Sequence, residues 1–310
     1  MNSVQNALIA LTDPFTWVLE PSQRIYWGAL LSSLLLAWGL TLTGRIPRAR
    51  WRELGRWSYW WNASTRVDYG LLLINSLIRI LLIVPWLFGA TSVGALTYAV
   101  IGLAGGLPAV LARHPLAGLV AFTVAGFLAE DGSRFLNHYL QHRVPLLWRF
   151  HKVHHSATTL TPVTLYRAHP LEIVTGRIRG ALAMGLVTGV FLHLGGGQLS
   201  GWSILGVDAV GFLMTLLGSN LRHSHIPMGF GPLEAVLISP VMHQVHHSRD
   251  PAHYNRNLGT WLTVWDRLCG TLYRPSREEG QNLVFGLGEG EGCDTLGRAY
   301  LQPLGLKKGG

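Results

Sequence analysis

Charge and cysteine are scarce in this sequence. Only 13% of its 310 residues are charged, against 49% that are hydrophobic, and the mean hydropathy is +0.28. An ordinary soluble domain is about a quarter charged, so this composition argues against one and predicts a chain built for a bilayer. The two cysteines, Cys269 and Cys293, are too few for a disulfide framework, a four-cysteine zinc site or an iron–sulfur cluster. Any metal must be held mainly by nitrogen and oxygen. Acidic residues are outnumbered 16 to 25, giving a formal charge of +9. The arginines flank apolar runs and form no stripe of their own, which fits membrane-flanking charge and argues against nucleic acid. The opening "MNSVQNALIALTDPF" lacks the basic start of a cleaved leader and is expected to lie at the membrane interface.

Apolar runs fall at 26–43, 70–88, 95–112, 116–129, 178–194 and 202–221, most of them near the roughly 20 residues a spanning helix needs. Between the first two lies "GRIPRARWRELGRWSYWW", whose five arginines and Trp/Tyr group read as a cytoplasmic loop with an aromatic belt. Basic residues return at Arg134, Arg143, Arg149 and Lys152, so an even number of crossings should separate the two basic regions. Of the three candidates between them, 95–112 is expected not to span, because "GLAGGLPAV" makes a poor helix interior. From Ser248 onward the chain turns polar, and "GLGEGEG" reads as a flexible loop rather than a phosphate cradle, with no strand before it.

Histidine is concentrated. Thirteen of the fourteen histidines lie between 138 and 253, in "HYLQH", "HKVHH" and "HQVHH" among other places. In "ISPVMHQVHHSRD", Ser239 and Pro240 fit a helix cap and first turn, and His243, His246 and His247 are then expected to share one helical face. A lone HxxxH pair is more often a polar helix surface. Three such groups together point to metal, since neutral imidazole is a good ligand. Eight imidazoles exceed what one catalytic metal uses, which favours two metals. The third group lies 88 residues beyond His155. The apolar pair 178–194 and 202–221, joined by "GGGQLS", predicts a membrane hairpin that returns it to the first two.

The ordered set HxxxH, HxxHH, "RAHPLE", "H-S-x-I-P", "SPxxHxxHH" and "NxxLGTWLTVWDRLCGT" over about 116–275 resembles the fatty acid hydroxylase and sterol desaturase superfamily of membrane di-iron enzymes. The resemblance implies an all-α integral membrane bundle with a cytosolic histidine-rich cap, holding two iron ions that zinc can replace in purified protein. It implies O2-dependent oxidation of a lipid. Carried over by position, the ligands would be His138, His142, His151, His154, His155, His223, His243, His246 and His247, with His169 a further candidate. Where many members have Asn after "H-S", this chain has His225, also a candidate, and where "LFGT" is usual it reads Leu268-Cys269-Gly270-Thr271.

Glu172 and Asp266 are candidates for orienting the imidazoles through their second nitrogens, with helix capping the plainer alternative. Asp208, inside an apolar run, needs a partner; His193 and Arg79 are candidates. His114 and His253 are read as non-ligands. The chain divides by sequence into an N-terminal membrane region (1–115), a catalytic region (116–275) with the hairpin at 178–221, and a polar tail (276–310). With no nucleotide fold, cysteine cluster or "HPGG" haem motif, electrons must come from an external reductase, ferredoxin or cytochrome b5-type partner. Two alternatives stay open: a lipid desaturase on the same scaffold, and a histidine-rich membrane metal transporter.

Overall fold

The structure, a computed structural model, describes residues 12–21, 23–83, 89–199, 201–288 and 290–306. Most of the opening segment expected at the membrane interface therefore lies outside the described residues. The fold is helical: among the described residues the only β features are two isolated bridges, Leu237 with Leu262 and Ser248 with Phe285. The main helices are α1 (Trp27–Leu42), α2 (Ala63–Ile78), α3 (Ala90–Leu103), α4 (Pro115–Arg143), α5 (Pro145–His155), α6 (Pro170–Leu194), α7 (Gly201–Leu216) and α8 (Pro240–His246). Local chemistry sets their ends. Asn62 caps α2 in a reciprocal box with Thr65. Pro145, Pro170 and Pro240 each begin a helix, where a missing N–H costs nothing. After α6 the chain turns through Gly196 and Gly197, both at positive φ.

The chain forms two compact units. The first comprises Met1–Pro85, His138–Ile173 and Met214–Gly310, and the second Trp86–Asn137 and Val174–Leu213. In the first unit, one core cluster joins Ala37, Ile46, Leu221, Ile226 and Met228. Another joins Val67 and Leu71 of α2, Val153 of α5, and Cys293 and Ala299 near the C-terminus. Residues from both ends of the sequence thus pack into the unit that carries the histidine groups.

The second unit is built on close helix contact. A Cβ on Gly189 of α6 would lie 2.4 Å from the Thr97 side chain of α3, and one on Gly185 would lie 2.4 Å from Val93. Small residues let the two backbones approach, as is common between helices in lipid. Glu130 is clasped by Arg179 at 2.8 and 3.0 Å and by Arg134 at 2.6 Å.

Among the described residues two helices are long and apolar enough to cross a membrane, α4 and α6, and only 17% of the apolar window of each is buried. Leu116, Val120, Val124 and Leu128 form an exposed stripe on α4, and Ile178, Leu182 and Leu186 another on α6. A helix in the core of a soluble protein would bury such a stripe. α1 and α3 are apolar but shorter. The 14 residues of α3, at about 1.5 Å each, fall short of a ~30 Å hydrocarbon layer.

The partners expected for Asp208 differ. Arg79 pairs with Asp13 and lies 5.1 Å from the Trp17 ring centroid. His193 Nε2 lies 2.8 Å from the Tyr98 carbonyl and so donates to it. The Asp208 side chain is outside the described set.

Candidate metal centre

Nine imidazoles converge in two groups: His138, His142, His151, His155 and His246 in one, and His154, His223, His243 and His247 in the other. The expectation that His243, His246 and His247 act as one face is corrected here. Successive helical residues are about 100° apart, so positions i and i+4 nearly coincide while i+3 and i+4 diverge. α5 accordingly gives His151 and His155 to the five-histidine group and His154 to the other. α8 does the reverse, giving His243 and His247 to the four-histidine group and His246 to the first. Each HxxHH segment therefore serves both groups. The i,i+4 pair His138 and His142 on α4 goes to a single group.

The outer nitrogens determine what the inner ones can do. His138 Nδ1 donates to the Leu258 carbonyl at 2.7 Å, His246 Nδ1 to the Arg256 carbonyl at 2.8 Å and His151 Nδ1 to Glu172 Oε1 at 2.8 Å. A neutral imidazole that donates from Nδ1 carries a lone pair at Nε2. His138 Nε2 and His151 Nε2 nevertheless face each other at 3.0 Å, two lone pairs with no proton between them. His142 Nε2, His155 Nε2 and His246 Nε2 are buried without a hydrogen-bond partner. A cation resolves this conflict. Metal–imidazole bonds of about 2.0–2.1 Å place neighbouring ligand nitrogens about 3 Å apart.

The inner nitrogens of the four-histidine group are equally close. His223 Nε2 lies 3.2 Å from the Nε2 atoms of His154, His247 and His243, and His243 and His247 are 3.2 Å apart. Burial pushes His151 and His154 down to about 3 and holds His155, His223, His243, His246 and His247 well below the ordinary imidazole value. The rings are therefore neutral and able to bind metal at neutral pH. Both groups fit a transition metal held by nitrogen alone.

The remaining candidates fall outside both groups. His169, expected as a ligand, is the residue before α6, and its Nδ1 accepts the Leu171 N–H at 3.2 Å. His225, also expected as a ligand, donates from Nε2 to the Arg50 carbonyl at 2.7 Å and packs on Tyr59. Its Nε2 is thereby committed to a proton. His253 is buried against Tyr273, and His114 is exposed. Neither joins a group.

Glu172 bonds His151 directly. The Asp266 carboxylate accepts from the Leu258 and Gly259 N–H groups at 2.8 and 2.7 Å and from Thr271 Oγ1 at 2.6 Å. It holds the loop that supplies the Leu258 carbonyl to His138. A Cβ on Gly259 would lie 2.6 Å from Asp266 Oδ2, so this approach requires glycine.

Sequence reasoning quoted that loop and Arg167 within its motifs but gave neither a role. Asn255, Arg256 and Leu258 together bond His142, His246 and His138, and Asn255 and Asn257 both sit at positive φ. The available signal was "NRNLG", two asparagines where left-handed backbone is tolerated.

These features define a helical protein with two adjacent groups of imidazoles, each of which could hold a metal ion through nitrogen alone. Residues 123–271, just under half of the chain, match the fatty acid hydroxylase family, and this match supports that superfamily. It is 31% identical over 160 residues to the ornithine lipid hydroxylase OlsE of Rhizobium tropici, covering 52% of this chain and 44% of that protein. It is 28% identical over 164 residues to the alkylglycerol monooxygenase of Homo sapiens, covering 53% and 32%. Human cholesterol 25-hydroxylase is 27% identical over 168 residues, covering 47% and 48%. The matched region is thus less than half of each of these relatives. No solved structure matches the chain.

Proposed function

We propose that the chain is a membrane-bound di-iron monooxygenase that hydroxylates a C–H bond of a lipid, using O2 and electrons from a separate donor. The observation that carries this reading is the pair of imidazole groups whose inner nitrogens converge to about 3 Å, with those of His138 and His151 facing one another as lone pairs. His138, His142, His151, His155 and His246 would hold one iron, and His154, His223, His243 and His247 the other. Iron bound there would supply activation of O2 and oxidation of the C–H bond.

The chain's own residues do the rest. The Glu172 carboxylate and the carbonyls of Leu258, Arg256 and Arg167 accept from the outer N–H of His151, His138, His246 and His154, which keeps each inner nitrogen free and fixes its aim. Burial of the rings keeps bulk water from the reacting volume.

A lipid substrate is supported by the superfamily and by relatives whose names specify an ornithine lipid, an alkylglycerol and cholesterol. The exposed apolar stripes of α4 and α6 support residence in the bilayer. The arginines of 45–56 favour a site on the cytoplasmic face.

The decisive experiment compares the lipids of cells with and without the intact gene, under oxygen and without it. An oxygen-dependent lipid heavier by one oxygen atom is the expected result. Loss of two hydrogens instead would make the enzyme a desaturase. Metal flux in vesicles, with no oxygen-dependent product, would replace the enzyme with a transporter.

A further inference from the structure

Arg167 is wholly buried, yet no part of the proposed ligand set requires it. Its guanidinium uses all its N–H groups. Nε donates to the Val153 carbonyl at 2.9 Å and to Ser156 Oγ at 3.2 Å. Nη1 donates to the Ser64 carbonyl at 3.0 Å and Asp68 Oδ1 at 2.8 Å, and Nη2 to Ser156 Oγ at 2.8 Å and the Cys293 carbonyl at 2.7 Å. The other Asp68 oxygen accepts from Thr164 Oγ1 at 2.6 Å.

Val153 and Ser156 bracket His154 and His155. The guanidinium thus holds the Val153 carbonyl on one side of two inward-facing imidazoles and the Ser156 hydroxyl on the other, and that hydroxyl itself donates to the Val153 carbonyl at 2.7 Å. The Arg167 carbonyl in turn accepts from His154 Nδ1 at 3.2 Å. That bond matters to its group, because His243 Nδ1 and His247 Nδ1 are buried without hydrogen-bond partners. The five-histidine group, by contrast, has outer partners on four of its rings.

We propose that Arg167 is the positioning residue of the four-histidine metal site, aimed by Asp68 of α2 and the Cys293 carbonyl, both outside the matched segment. The proposal rests on the dinuclear reading above. Replacing a buried ion pair by apolar residues is often neutral for stability, so what this network contributes is geometry. The five-donor fork reaches five acceptors from three stretches of chain, which a lysine cannot do.

The test uses the purified full-length chain in detergent, loaded with Co2+ and challenged with graded EDTA. Wild type is expected to take up two metals. Arg167→Lys is expected to release one of them at about 10- to 100-fold lower EDTA than wild type, while the second is held as in wild type, and its Co2+ ligand-field bands should shift. A purely structural clamp would lower the melting temperature and leave stoichiometry and spectrum unchanged, and that result overturns the proposal.

If Arg167→Lys does not fold, Ser156→Ala decides. It removes the hydroxyl that accepts from both Nε and Nη2 and leaves the ion pair in place. Weaker retention of a single metal supports the proposal, and wild-type retention overturns it. Wild-type protein that binds no metal overturns the dinuclear reading itself, and this is seen before any variant is compared.

Discussion

At the scale of single residues, the cage depends on which nitrogen of each ring carries the proton. Glu172 Oε1 bonds His151 Nδ1, and Glu172→Gln replaces that carboxyl group by a neutral amide. Product formation should fall about 10- to 100-fold, while metal analysis under saturating iron still finds most of the metal. His154→Ala is more severe, since it removes one of the proposed ligands. Elemental analysis should show loss of metal from the four-histidine group, and fractionation should show the protein still in the membrane. Nine of the eleven histidines proposed as ligands from sequence are brought together. His169 and His225 are not, because one caps a helix and the other is committed to a carbonyl 175 positions away in the chain. That second contact has no sequence signature.

At the scale of elements, the loop 255–258 acts as a single outer frame for three rings, and Asp266 anchors it. Asp266→Asn turns one oxygen into an NH2 group that faces a buried backbone N–H, leaving that donor unmatched at a cost of about 1–3 kcal/mol. The expected result is a lower melting temperature together with weaker retention of the five-histidine metal. Glu172→Gln, which disturbs no backbone, should leave the melting temperature near wild type, so calorimetry with chelator titration separates the two roles.

The contact between α3 and α6 makes its own prediction. Gly189→Val drives a branched side chain into Thr97 and the Gly94 carbonyl, and overpacking of this kind costs about 1–3 kcal/mol. Gly176→Ala, on the same helix with nothing within 4 Å of the added carbon, should unfold at or above the wild-type temperature. Both are read by thermal unfolding in detergent.

At the scale of the whole molecule, the unit that carries the cage draws on both ends of the chain. The segment after α5 touches the segment after the arginine-rich stretch: the Thr158 N–H donates to Ser64 Oγ at 3.1 Å, and Tyr59 donates to the Leu160 carbonyl at 2.7 Å. Arg52 and Thr158 are both exposed. Single cysteines at these two positions, in a background with Cys269 replaced, should therefore label from the same side of sealed vesicles with a membrane-impermeant maleimide. Labelling from opposite sides would refute both the crossing count and the cytoplasmic placement of the cage.

The sequence by itself determined what is local. The helical spacing of the histidines, the Ser239–Pro240 start of α8, the proline-marked helix starts and the apolar runs all follow from chemistry between near neighbours in the chain, which a single sequence displays. Only the tertiary structure decided the division of each HxxHH between two groups. The 100° step makes His154 and His155 diverge, but which group each meets depends on helices far away in sequence. It also decided the pairing of Arg167 with Asp68 across 99 positions and the choice of carbonyls that hold the rings. Backbone carbonyls are chemically alike at every residue, so the ones that become acceptors are selected by packing alone.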